Sequence, residues 1–114
     1  MAELAAEGYA ALGERLSAAR DFQAMGQAYL AFAREEPGWY AAMFQPGSLA
    51  SGAPAGHGGF ARLMAHMPEG QQRTAAVAVW ALSHGLASLE RAGALGAEQA
   101  EAVLCTAVPR MTKG

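Results

Sequence analysis

Apolar side chains recur at helical spacing along most of this chain and never alternate over a useful length. Ala5, Gly8, Tyr9, Leu12, Leu16 and Ala19 share one face of a helix, and Glu3, Glu7 and Glu14 share the other. This predicts an amphipathic helix over 2–19. Asp21 is placed to cap a second helix, in which Phe22, Met25, Tyr29, Phe32 and Ala33 form a wide apolar stripe opposite Gln23, Gln27 and Arg34. Pro37 ends that helix, because the residue before a proline is pushed out of the helical region. Pro37 also suits the first position of a new, short helix, on which Trp39, Tyr40, Met43 and Phe44 crowd one face.

The stretch 45–59 is rich in Gly, Pro, Ser and Ala and is expected to be a mobile loop. A short helix with Phe60, Leu63, Met64 and Met67 inward is expected next, broken by Pro68 and Gly70. The central helix is expected over 71–92. It carries two apolar stripes, with Val77, Trp80 and His84 on one side and Ala75, Val79, Leu82, Leu86 and Leu89 almost opposite. After a turn at Gly93 to Gly96, a last helix from about Ala97 presents Ala97, Ala100, Leu104, Ala107 and Met111, and Pro109 is expected to bend or end it.

The pattern therefore predicts an all-α, antiparallel bundle of about six helices forming a single domain over 1–114. A helix that is apolar all round must be covered all round, and the other short helices can hardly wrap the central one. A two-fold dimer is the economical cover, because the same patch then meets itself. The last two helices of each chain are expected to form an intersubunit four-helix bundle. Val79, Leu82, Leu86 and Leu89 are the expected interface on the central helix, with Ala97, Ala100, Leu104 and Ala107 beside them. The competing arrangement buries the central helix inside a monomer, as in globin-like folds.

Composition narrows the function. The chain has 114 residues, a 53% apolar content and a net charge of −2. Its one lysine is Lys113 and its arginines are scattered, so it lacks the basic stripe that neutralises phosphates. Direct DNA binding by this chain is not expected. Cys105 is the only cysteine, which excludes an intrachain disulfide and fits a reducing compartment. Met1 to Leu4 has no basic leader region. The uncharged run from Thr74 to Leu89 is 16 residues, short of the ~20 needed to cross a bilayer. A cytoplasmic location without membrane contact is the expectation.

Two segments resemble a known family. Trp80-Ala-Leu-Ser-His84-Gly85 is similar to the Trp-x-x-x-His-Gly signature in the C-terminal domain of a large subgroup of TetR-type transcriptional regulators. The segment from Gly26 through Tyr29, Phe32, Pro37, Trp39, Tyr40 and Met43 to Phe44 resembles the other recurrent stretch of those domains, an aromatic helix ending at a proline followed by a Tyr…Met-Phe turn. Together they cover about half the chain, and the first and last helices fit more loosely. The resemblance implies a homodimerising domain that binds a small-molecule effector and, in such regulators, changes the spacing of two DNA-reading heads. The sequence contains no helix-turn-helix pattern, and its stretch between Phe44 and Phe60 is short and glycine-rich for such a domain.

On that resemblance the bulky residues Tyr29, Phe32, Trp39, Tyr40, Met43, Phe44, Phe60, Met64, Trp80 and His84 are candidates for a ligand pocket. Such sites are mostly apolar with few polar groups, and methionine adapts to varied shapes. For each of them the competing role is ordinary core packing. His84 lies one turn from Trp80 on the same face. Its imidazole needs partners if buried, and it serves either a structural bond or a bond to the effector. The Val77, Trp80 and His84 face is uncharged, which favours a neutral apolar effector. An anion would need Arg34, Arg62 or Arg73. Gly85 is expected to let a neighbouring helix come close.

Catalysis has little support. His57, His66, His84 and Cys105 lack metal-ligand spacing, so no metal and no cofactor are expected. The glycines between Gly52 and Gly59 follow no strand and are not a phosphate cradle. Ser83 or Cys105 beside His84 has no visible orienting acid. Two further readings stay open, a dimerisation module without ligand and a small helical enzyme.

Overall fold

The computed structural model describes residues 2–43 and 70–112, and the side chains of residues 2–6 and 71 are left aside. Among the described residues there are five helices and no strand: α1 (Ala2–Ala18), α2 (Phe22–Glu35), α3 (Pro37–Met43), α4 (Gln71–Arg91) and α5 (Ala97–Met111). The expected short helix around Phe60 to Met67 and the expected loop 45–59 lie outside the described residues.

The helix ends follow from local chemistry. Asp21 has an extended backbone, and its Oδ1 accepts the Ala24 N–H at 2.8 Å, so α2 begins where the sequence places its cap. Glu36 has left the helical region before Pro37, yet its N–H still donates to the Phe32 carbonyl at 2.8 Å. The Glu36 carbonyl then accepts the Tyr40 N–H at 2.9 Å, so α3 starts without a break in hydrogen bonding. At the end of α4, Gly93 takes φ of +81°. Its N–H donates to Glu90 at 3.0 Å, and the next N–H, of Ala94, reaches back to Leu89 at 2.9 Å. That pair of bonds is a Schellman stop and requires the left-handed residue that glycine supplies. Pro109 does not end α5 as expected. It sits exposed in the last turn, where the helix runs on to Met111 and Thr112 closes it by bonding the Val108 carbonyl through both N–H and Oγ1. One missing N–H near a helix end leaves little unsatisfied.

The core lies where α2 is enclosed by the other helices. Tyr29, Leu30, Phe32 and Ala33 of α2 are buried with Tyr9 and Leu12 of α1, Tyr40 and Met43 of α3, Val79, Leu86 and Ala87 of α4, and Ala100, Leu104 and Val108 of α5. Two glycines set the closest approaches. A Cβ on Gly8 would come within 2.7 Å of the Met43 sulfur, and one on Gly26 within 2.7 Å of Leu104 and 3.1 Å of the Ser83 hydroxyl. These are the points where α1 crosses α3 and where α2 crosses α4 and α5. Among the described residues Gly85 plays no such part, since none of their atoms lies within 4 Å of its Cβ position.

The burial pattern revises the expected partner surface. Val79, Leu86, Ala100 and Leu104 are buried inside the protomer and are not free to meet another copy. The reason is the direction of α4: Ala76, Val79, Ser83, Leu86 and Ala87 all turn inward onto α2 and α5. Leu82 and Ala107 are half-buried, Ala97 is exposed and Leu89 is 47% exposed.

Charges tie the outside of the same helices. The Arg34 guanidinium donates two bonds to Glu90 (2.7 and 2.8 Å) and a third to Glu101 (3.0 Å), joining α2 to α4 and α5. Arg15 pairs with Glu35 at 2.9 Å and lies 5.4 Å from the Phe32 ring centre. Such exposed pairs contribute little singly, and the two-pronged Arg34–Glu90 geometry is the stronger of them. The Gln23 amide, on the first turn of α2, is buried and has no hydrogen-bond partner among the described residues.

Candidate functional site

Three helices bring one polar side chain each to a single point. Tyr29 comes from the middle of α2, Tyr40 from α3 and His84 from α4. The Tyr40 hydroxyl is 2.7 Å from His84 Nδ1, the Tyr29 hydroxyl is 2.9 Å from the same nitrogen, and the two hydroxyls are 3.1 Å apart. With the ring proton on Nε2, Nδ1 has one lone pair. The nearer hydroxyl, Tyr40, donates to it, and Tyr29 donates to the Tyr40 oxygen, so each polar atom of the triangle is served. The rings of Tyr29 and Tyr40 meet edge to face, with centres 5.8 Å apart.

The cluster is neutral at pH 7. Burial pushes both phenols above their ordinary range. Burial likewise holds the His84 imidazole below its ordinary value. The Arg91 guanidinium lies 5.5 Å from the centre of the Tyr40 ring, and it pulls the Tyr40 hydroxyl down less than burial raises it. On the other side of Tyr40, Tyr9 donates to the Met43 carbonyl at 3.2 Å, and burial pushes its phenol up to about 12.

The expected pocket residues divide. Tyr29, Tyr40 and His84 are brought together, and Trp80, half-buried, lines the same crevice as Tyr29. Phe32 and Trp39 stack on each other instead, 15° from parallel with centres 6.3 Å apart, and Phe32 is fully buried under Arg15. Met43 is fully buried against Gly8 and Trp39, where it fills the crossing of α1 and α3. Phe44, Phe60 and Met64 lie outside the described residues. Arg34, one of the cations expected to meet an anion, is taken up by two glutamates.

Some neighbours of the cluster were not legible in the sequence. A crevice with no room for a water molecule runs beside Tyr29 and Trp80 and is lined by Leu16 of α1, Met25, Gly26, Val79 and Ser83. The sequence assigned Leu16 and Met25 to core stripes and gave no sign that they meet at Trp80. An outer groove of about 280 Å³ lies between α2 and α4, floored by Leu30, Ala33 and Ala87 and edged by Arg34, Glu90 and Arg91. Arg91 follows His84 by two helical turns, and that spacing is the one signal that it shares the face of the site.

Among the described residues no group of three His, Cys, Asp or Glu side chains is placed to hold a metal ion, and none of the described helices is long and apolar enough to cross a membrane. Ser83 gives its hydroxyl to the Val79 carbonyl at 2.7 Å, and Cys105 is exposed on α5.

Residues 22–108 match the family described as tetracyclin repressor-like, C-terminal domain, and the chain belongs to that family. No curated protein matches the chain.

Proposed function

We propose that this chain is the effector-binding and homodimerisation domain of a TetR-like transcriptional regulator, acting in the cytoplasm. The family supports the regulatory assignment. The observation that carries the effector reading is the Tyr29, Tyr40 and His84 triangle, three neutral polar groups delivered by three helices beside Trp80. A core needs no such convergence, whereas an effector with a hydroxyl or carbonyl can exchange with one of its bonds. The neutrality of all three groups favours an uncharged, mainly apolar effector. The scattered arginines offer no stripe for phosphates, so operator contact is assigned to no surface of this chain.

Homodimerisation is assigned to the outer sides of α4 and α5. The exposed large hydrophobic residues among those described are Leu89, Val103 and Met111, and all three lie on these two helices. These exposed apolar side chains are what a second copy would cover.

A thermal-shift screen with neutral hydrophobic compounds tests the effector reading. A ligand present at 100 times its Kd adds about 2.7 kcal/mol of stability. Tyr40→Phe and His84→Gln should abolish that gain while the protein still folds. A dimer that no compound stabilises favours the second reading, a module that pairs without ligand. The crevice without room for a water molecule and the internally satisfied triangle favour that reading. Turnover of a bound compound would overturn both.

A further inference from the structure

We infer that the outer groove between α2 and α4 binds a small amphipathic carboxylic acid, with its carboxylate on Arg91 and its apolar part on Leu30, Ala33 and Ala87. This site is separate from the Tyr29, Tyr40 and His84 triangle and depends on neither the effector nor the homodimer reading.

The floor is apolar and made largely of small residues. Ala33 of α2 and Ala87 of α4 are buried there. Two small side chains where two helices pack leave a furrow that larger ones would fill. Its volume of about 280 Å³ falls just under the roughly 300–1,000 Å³ of drug-sized ligand sites. The matching occupant is a small one, such as an aromatic or short-chain acid.

The charges on the rim select the head group. Arg34 and Arg91 are the cations that line the groove, and their donors are differently engaged. Arg34 gives its donors to Glu90 and Glu101. Among the described residues no carboxylate pairs with Arg91. Its guanidinium lies over the Tyr40 ring, 5.5 Å from the centre. That contact uses the face of the ring and spends none of the five N–H donors. It also holds the cation in place, because the Tyr40 hydroxyl is itself fixed 2.7 Å from His84. A basic residue in the last turn of a helix complements the dipole, but that role requires neither an aromatic platform nor a groove. A held guanidinium with donors to give can grip a carboxylate by two parallel bonds. Glu90 on the same rim sets the charge of the occupant. It repels a dianion, whereas a monoanion matches the one cation that Arg34 and its glutamates leave available.

Benzoate titrated into the isotope-labelled full chain at pH 7, followed by amide NMR shifts, tests this. Benzamide is the neutral isostere, and inorganic phosphate is the anion without an apolar part. Benzoate should give saturable shifts centred on Ala33, Ala87 and Arg91. Benzamide should bind about tenfold more weakly, the typical worth of a hydrogen bond to a charged group. Arg91→Gln should erase that preference, and Arg91→Lys should restore only part of it. A purely structural Arg91 would change stability and leave the preference as it was. Ala33→Leu, which fills the floor, should remove binding of both compounds. Phosphate should not displace benzoate. No saturable shift at ~20 mM benzoate, enough to nearly fill a site of millimolar Kd, overturns the site. Equal affinity for benzamide, undiminished benzoate binding in Arg91→Gln, or shifts centred on His84 instead of the groove overturn it too. Displacement by phosphate overturns the ligand class. Should Ala33→Leu fail to fold, the variants of Arg91, which is exposed, decide.

Discussion

The Tyr40 hydroxyl stands between an imidazole and a second phenol, and its proton fixes the direction of both bonds. Because burial holds His84 below its ordinary pKa of 6.5, the unfolded chain takes up a proton there before the folded chain does. Stability therefore falls as pH drops below 6.5, by up to about 1.4 kcal/mol per pH unit for one such group. The phenols act at the other end. Tyr9 is raised from 10 to about 12, and Tyr29 and Tyr40 are raised in the same direction. The unfolded phenols lose their protons first, so stability falls again above pH 10. Urea unfolding across pH should show both losses, and His84→Gln should flatten the slope between pH 5 and 6.5. An unchanged acid slope in that variant would show that His84 is not the group responsible. Glu90 is held below its ordinary value by Arg34, and its contribution is lost in a separate window at lower pH.

The helices owe their mutual positions to where side chains are missing. At Gly26 an added methyl group would meet Leu104, which is fully buried and has no free direction in which to turn. Gly26→Ala gains about 1 kcal/mol of helix propensity against an overpacking cost of about 1–3 kcal/mol. The expected net result is a loss of up to about 2 kcal/mol in chemical denaturation, and Leu104→Ala in the same chain should make the alanine at 26 harmless. Helix positions of this kind were largely legible in the sequence. The Asp21 cap, the stop before Pro37 and the turn at Gly93 depend on residue types whose local chemistry is specific. The burial direction of α4 was less legible. Its two stripes are both apolar, and Val79 and Leu86 turn inward only because α2 and α5 lie on that side, which periodicity does not reveal. Among the described residues the close approaches at glycine belong to Gly8 and Gly26, which the sequence did not single out for that role. In the site, three of the ten candidate residues, Tyr29, Tyr40 and His84, meet through hydrogen bonds that join residues far apart in sequence. Nothing local distinguishes Phe32 and Met43, which pack, from Tyr29, which bonds.

For the whole molecule, folding and pairing are expected to be linked. Leu89 is 47% and Val103 40% exposed in the single chain, and covering them in a dimer would stabilise the folded state by mass action. The thermal midpoint should therefore rise with protein concentration. A midpoint constant over a hundredfold range would separate folding from association. The Arg34 bonds to Glu90 and Glu101 tie α4 and α5 to α2, the helix that carries Tyr29, so the candidate site and the helices proposed to pair share rigid neighbours.

The crossing at Gly26 also has a meaning in evolutionary time. Position 26 has no room of its own, since its space is held by Leu104 and Ser83. Drift at 26 toward a larger residue is open only to lineages in which position 104 has already become smaller. The two sites should thus change as a pair, in that order, although 78 residues separate them in the chain.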